Sequence, residues 1–82
     1  MIIHKIPFLD LHGEESAMVN VLVTEFINDN YKMGNKEIAI IHGKSTNILT
    51  NEVHNVLKNN KLVVKYYLDN WNLGQTIVQL KK

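Results

Sequence analysis

The chain contains no cysteine, which excludes a disulfide framework and a thiolate metal site and gives an oxidising compartment no support. It also lacks arginine: all nine basic residues are lysine, and against eight acidic ones they leave a formal net charge of +1. So small an imbalance supplies little of the long-range attraction behind non-specific nucleic-acid binding, and any such contact has to be local. No apolar run approaches the roughly 18 residues needed to span a bilayer, and residues 1–5 lack a signal-peptide layout. A cytoplasmic protein with no membrane partner is therefore expected. At 82 residues the chain can bury only about 60 per cent of its surface, so one economical core and a single domain over residues 1–82 are predicted.

What the sequence does contain is a doubled unit. Leu9-Asp10-Leu11-His12-Gly13 and the later Ile40-Ile41-His42-Gly43-Lys44 each close an apolar, strand-like run with His-Gly, and a helical pattern follows each. Ile6 to His12 reads as a first strand, with Pro7, the single proline, near its start. From Glu14 to Met33, Val19, Leu22, Val23, Phe26 and Ile27 fit the i, i+3, i+4 spacing of a helix with one buried face. Lys36 to His42 is a short isoleucine-rich strand. A second helix, capped by Thr46 or Asn47, carries the stripe Leu49, Val53, Val56 and Leu57. Leu62 to Leu68 and Gln75 to Leu80 are two more strands, joined by a turn-rich segment that includes Trp71.

The order β-α-β-α-β-β predicts an α/β (α+β) two-layer sandwich. Strands separated by helices run parallel, the last turns back antiparallel, and both helices cover one face of a mixed four-stranded sheet.

On a strand, Asp10 and His12 point to the same face, with Cα atoms about 6 to 7 Å apart. In the parallel arrangement His42 ends the next strand at the same edge, beside the start of the second helix. Free N–H groups and partial positive charge at that helix terminus favour an anion, and Lys44 adds a full charge. An imidazole moves protons near neutral pH, a carboxylate orients it or shares the role, and fixed donors stabilise charge on phosphorus oxygens. This constellation suits phosphodiester cleavage. His54, beside the Val53 and Leu57 stripe, reads as structural, and Trp71 reads as a cover for the sheet edge unless it stacks on a base.

These two motifs, together with the closing Gly74-Gln75-Thr76-Ile77-Val78-Gln79-Leu80, resemble the small MutS-related (Smr) domain family over nearly the whole chain. The resemblance implies a fold like the C-terminal domain of translation initiation factor three. It also implies an activity in nicking DNA or cleaving RNA, with nucleic acid, and in some members the ribosome, as partner. Carried over by position, Asp10 and His12 correspond to the catalytic element, and Gly13, His42, Gly43, Lys44, Ser45, Thr46 and Asn47 to the substrate-binding turns. The sequence departs from the family where Ser45-Thr46-Asn47-Ile48-Leu49-Thr50 follows Lys44. Two glycines and an arginine usual there are missing, so weaker phosphate binding is expected, with Asn47 replacing a glycine in a left-handed position. Trp71 and Asn72 likewise stand where the family tends to have glycines. No compact ligand signature such as His-x-x-x-His is present, so no cofactor is expected to be required, with a divalent metal left open. The alternative function is a module of the same fold that binds nucleic acid or the ribosome without cutting.

Overall fold

The computed structural model describes residues 6–44 and 47–81. Its elements follow in the order β1 (Phe8–Asp10), α1 (Ser16–Lys32), β2 (Glu37–Ile41), α2 (Ile48–Lys58), β3 (Val63–Leu68) and β4 (Gln75–Leu80). The first strand is shorter than the apolar run suggested, because the chain turns as soon as it passes Asp10, and His12 lies in that turn. Likewise, α1 starts after Glu14 and Glu15, with Glu15 at the N-cap in extended conformation, so neither carboxylate is inside the first turn.

The sheet order is β1-β2-β4-β3. Strand β1 pairs parallel with β2, and β4 runs antiparallel to both β2 and β3, so β1, β2 and β3 share one direction. The hairpin places its second strand, not its first, against β2. Side-chain patterning explains the choice: Thr76, Val78 and Leu80 alternate as buried residues along β4, which suits an interior strand. Strand β3 instead exposes Val64, Lys65, Tyr67 and Leu68 and carries a register shift between Val63 and Lys65, both tolerable at an edge.

Both helices cover one face. Val19, Val23 and Ile27 from α1 and Val53, Val56 and Leu57 from α2 meet Leu11, Ile38, Ile40, Val78 and Leu80 in one cluster. Each fully buried aliphatic side chain contributes about 1.5 to 3 kcal/mol, so this cluster dominates the stability of so small a fold. The other face carries the opposite alternation, with Phe8 62% exposed and Tyr67 44% exposed at its two edges. Asn30 is buried within α1, where its amide donates to the Phe26 carbonyl at 2.9 Å and its oxygen accepts from Asn35 at 2.8 Å, tying the helix end to the chain leading into β2. Among the described residues no helix is long and apolar enough to cross a membrane.

Candidate functional site

Strand pairing brings the two His-Gly turns to one end of the sheet. Asp10 is the register partner of Ile41, and the Leu11 N–H donates to the Ile41 carbonyl at 2.7 Å. Leu11 is fully buried and pins the first turn, while Asp10 and His12 are exposed. Asp10 builds that turn itself: its Oδ1 accepts the His12 N–H at 2.9 Å, and the Glu14 N–H closes back on the Leu11 carbonyl at 2.9 Å. Gly13 then takes φ of 86°, where a side chain is strained. The result is an exposed His12 whose backbone is fixed by the Asp10 carboxylate.

The second turn is built otherwise. His42 is only 4% exposed, because it continues the inward alternation of Ile38 and Ile40. Its Nε2 lies 2.9 Å from Thr76 Oγ1 on β4, and its Nδ1 lies 2.9 Å from Thr50 Oγ1 on α2 and 3.0 Å from the Gly43 carbonyl. A carbonyl has no hydrogen to give, so Nδ1 carries the proton and donates. In the neutral ring Nε2 therefore accepts the Thr76 hydroxyl hydrogen. His54 Nε2, 2.8 Å from the same Thr76 oxygen, then has to donate. Burial holds the His54 pKa below its ordinary value, with the neighbouring His42 charge as the smaller cause. The two rings stand edge to face at 6.1 Å, and Tyr66 lies 5.0 Å beyond His54. The network is closed, and among the described residues no buried side-chain nitrogen or oxygen lacks a partner.

This placement corrects several expectations. His42 does not face substrate, since its ring is inside the fold with both nitrogens engaged. The Gly43 N–H is likewise taken up within the fold, donating to the Gly74 carbonyl at 2.9 Å alongside the His42 N–H at 2.8 Å, which leaves the N–H groups after Gly43 as those expected to meet phosphate. Asn47 caps α2 with φ of −91° and no side-chain cap bond, so it does not replace a left-handed glycine. Of the remaining predicted residues, Lys44 and Asn47 are exposed, and Ser45 and Thr46 lie outside the described residues. The structure thus joins Asp10, His12 and Gly13 in one turn and brings Lys44 and Asn47 to one cleft at the other, where the His42 ring is buried.

Lys44 and Asn47 line a cleft of about 320 Å³ with Gly43, Thr50, Leu68 and Leu73. A larger hollow of about 480 Å³ lies elsewhere, between the helices, among residues such as Asn20, Thr24, Asn55 and Asn59. Its lining offers amides and a hydroxyl but only Lys61 to titrate, whereas the smaller cleft holds Lys44 and Asn47 of the predicted set and neither Asp10 nor His12. Sequence reasoning missed Thr50, Gly74 and Thr76 as parts of the second turn. One signal was available, the inward alternation that Thr76 shares with Val78 and Leu80. Among the described residues no group of three or more histidine or acidic side chains converges as a metal-ligand cluster.

Comparison with known proteins follows the same outline. The family model for the Smr domain matches residues 9–81. A protein named endonuclease MutS2 from Clostridium kluyveri is 37% identical over 76 residues, covering 89% of this chain and 10% of that protein. Another of the same name from Halothermothrix orenii is 36% identical over 78 residues, covering 92% of this chain and 10% of its own length. The chain thus spans about 10% of the length of these curated relatives. Among solved structures, the Smr domain of Thermus thermophilus MutS2 superposes with a TM-score of 0.90 at 22% identity, covering 94% of this chain and all of that one, which shows a shared fold. YdaL, a stand-alone small MutS-related protein from Escherichia coli, gives a TM-score of 0.88 at 26% identity, covering 95% of this chain and 69% of that one.

Proposed function

The chain belongs to the Smr domain family, and from that membership and the geometry above we propose that it cleaves phosphodiester bonds in nucleic acid, with His12 as the proton-transfer group. The observation that carries this reading is the first turn: an exposed imidazole whose backbone is fixed by the Asp10 carboxylate, next in register to the Lys44 turn. Lys44 and the amino-terminal end of α2 supply the positive potential for the phosphate. With RNA, His12 takes the proton of the 2′-hydroxyl as that oxygen attacks phosphorus, the bond from phosphorus to the 5′-oxygen breaks, the leaving oxygen takes a proton from water, and the protonated His12 returns its own to the hydroxide so formed. The products are a cyclic phosphate and a 5′-hydroxyl, and the sequence of steps uses no resident metal.

Matched RNA and DNA oligonucleotides, each with Mg²⁺, with Mn²⁺ and with a chelator, test the proposal. Cleavage that falls by about 10²-fold or more in His12→Ala, with a cyclic-phosphate end on RNA, is the expected result. Equal rates in wild type and His12→Ala would exclude His12 from the chemistry, and the chelator arm decides whether a divalent ion takes part.

One observation favours a second reading, a binding module that does not cut. The His42 ring and the Gly43 amide are consumed inside the fold, and Thr50, at the position of the family's arginine, bonds to His42. That leaves few groups to hold a phosphate against the attacking oxygen. Binding that survives Asp10→Ala and His12→Ala but is lost in Lys44→Ala, with no cleavage by any variant, would establish this alternative.

A further inference from the structure

The segment between β3 and β4 leaves its indole out of the fold. Trp71 is 97% exposed, so it covers no sheet edge, contrary to the expectation from sequence. Burying so large an apolar ring ordinarily stabilises a small protein, and a mobile loop would let it fold back. This loop is instead held by its own hydrogen bonds. Asp69 accepts the Trp71 N–H at 2.9 Å through Oδ1 and the Gln75 side-chain amide at 2.7 Å through Oδ2. The Asn72 N–H donates to the Asp69 carbonyl at 3.2 Å, and Asn72 Oδ1 takes the Gly74 N–H at 2.9 Å. The loop is also fastened to the second His-Gly turn, since the Gly74 carbonyl receives the His42 and Gly43 amides. The fit there is close: a Cβ placed on Gly74 would stand 3.3 Å from Lys44 Cγ and 3.5 Å from the Gly43 carbonyl carbon.

A flat aromatic face is therefore presented by a braced loop packed against the turn that carries Lys44. Between them runs the cleft lined by Lys44, Asn47, Thr50, Leu68 and Leu73. We propose that Trp71 is a specificity-determining residue: it stacks on one unpaired nucleobase while Lys44 holds an adjacent phosphate, so the domain selects single-stranded over duplex nucleic acid. The inference rests on the nucleic-acid reading above and adds the class of strand to it.

Two features favour a base over a protein side chain as the occupant. The immediate flanks of the indole, Asn70 and Asn72, are exposed amides rather than an apolar rim, and the further apolar surface, from Leu68 and Leu73, lies on the cleft side. The nearest cation on the cleft also matches a phosphate. Bases in a duplex already have both faces stacked, so an indole reaches one only where pairing is absent. Stacking also meets a need particular to this chain. With no arginine and a net charge of +1, phosphate contacts are few, and a π contact adds affinity without charge.

Trp71 is the single tryptophan, so its emission reports on this site alone. Short mixed-sequence RNA and DNA single strands, and the corresponding blunt duplexes, are titrated into the whole chain in a His12→Ala background, and gels of the recovered strands check that they stay uncut. Single strands are expected to quench the indole and shield it from acrylamide. Trp71→Ala is expected to weaken their binding roughly tenfold or more by anisotropy, Trp71→Phe to retain most of it, and duplex binding to be equal in all variants. A preference between the RNA and DNA strands identifies the sugar. Because the ring lies outside the core, Trp71→Ala keeps the wild-type melting temperature, which checks its fold. Single-strand affinity unchanged by Trp71→Ala, or equal loss on duplex, overturns the inference. Failure here is distinct from failure of the catalytic reading: Trp71-dependent binding persists if His12 proves irrelevant to cleavage, and His12-dependent cleavage persists if Trp71 proves irrelevant to binding.

Discussion

The two strand-His-Gly turns share a sequence pattern and a left-handed glycine, Gly13 at φ 86° and Gly43 at φ 83°. They treat their imidazoles in opposite ways. In the parallel pair Asp10 faces Ile41, so continuing the ladder sets Leu11 opposite His42 and His12 opposite Gly43. The repeats are one residue out of register. Because strand side chains alternate, that single step places His42 with Leu11 on the helix side, whereas His12 lies past the end of β1 in an exposed turn. Neighbours complete the difference: β1 is an edge strand, whereas β2 has β4 on its far side to supply Thr76. A repeated motif here shares a left-handed glycine but not the environment of its imidazole.

The sharpest way to break this comparison is to delete each ring in turn. His42→Ala empties a buried site and cuts the links among β2, α2 and β4, which is expected to cost about 3 kcal/mol. For a domain of this size that lowers Tm by more than about 10 °C. His12→Ala, at an exposed turn, is expected to stay within about 0.5 kcal/mol of wild type. Thermal or urea unfolding of the two variants measures both. If His12→Ala proved the more destabilising, the assignment of inside and outside would be reversed.

Much of this was legible before any coordinates, and the limits have physical causes. The helices followed from the spacing of Val19, Val23 and Ile27 and of Val53 and Leu57, because an amphipathic helix is a local pattern. The insertion of β4 between β2 and β3 was not, since strand pairing is set by partners distant in the chain. The inward course of His42 could have been read from its parity with Ile38 and Ile40, but the visual repeat with His12 obscured it. The Thr50–His42–Thr76–His54 network could not, because it joins positions up to 34 residues apart. Asn30 escaped for a similar reason: its partner Asn35 comes into reach only once the helix has ended.

The hydrogen-bond network around Thr76 should also be pH-sensitive, through His54 on α2. Burial, reinforced by His42, holds the His54 pKa below its ordinary 6.5. As the pH falls through 6.5 the unfolded chain takes up a proton at His54 while the folded chain still resists it, so the unfolded state gains. Stability is thus fully present above 6.5 and declines toward the depressed folded value, below which no further loss arises from this group. Urea midpoints measured from pH 8 to 5 are expected to show that decline, and His54→Gln to flatten it. The titration of the His54 ring by NMR locates the lower end of the window. A slope unchanged in His54→Gln would remove His54 from the acid response.

The smallest expected effect on stability bears most directly on what the exposed turn does. Asp10 has one structural duty, accepting the His12 N–H through Oδ1, and an asparagine can keep it. Asp10→Asn should therefore melt within about 0.5 kcal/mol of wild type, whereas Asp10→Ala, which deletes the acceptor, should lose about 1 kcal/mol. The two variants differ in turn geometry and agree in having no carboxylate. If the carboxylate serves only to aim the turn, Asp10→Asn cleaves like wild type and Asp10→Ala is impaired. If it shares the proton transfer with His12, both variants lose cleavage to the same degree although only one is destabilised. Comparing the two rates with the two melting curves separates placement from chemistry at the one turn where an imidazole and a carboxylate share the solvent.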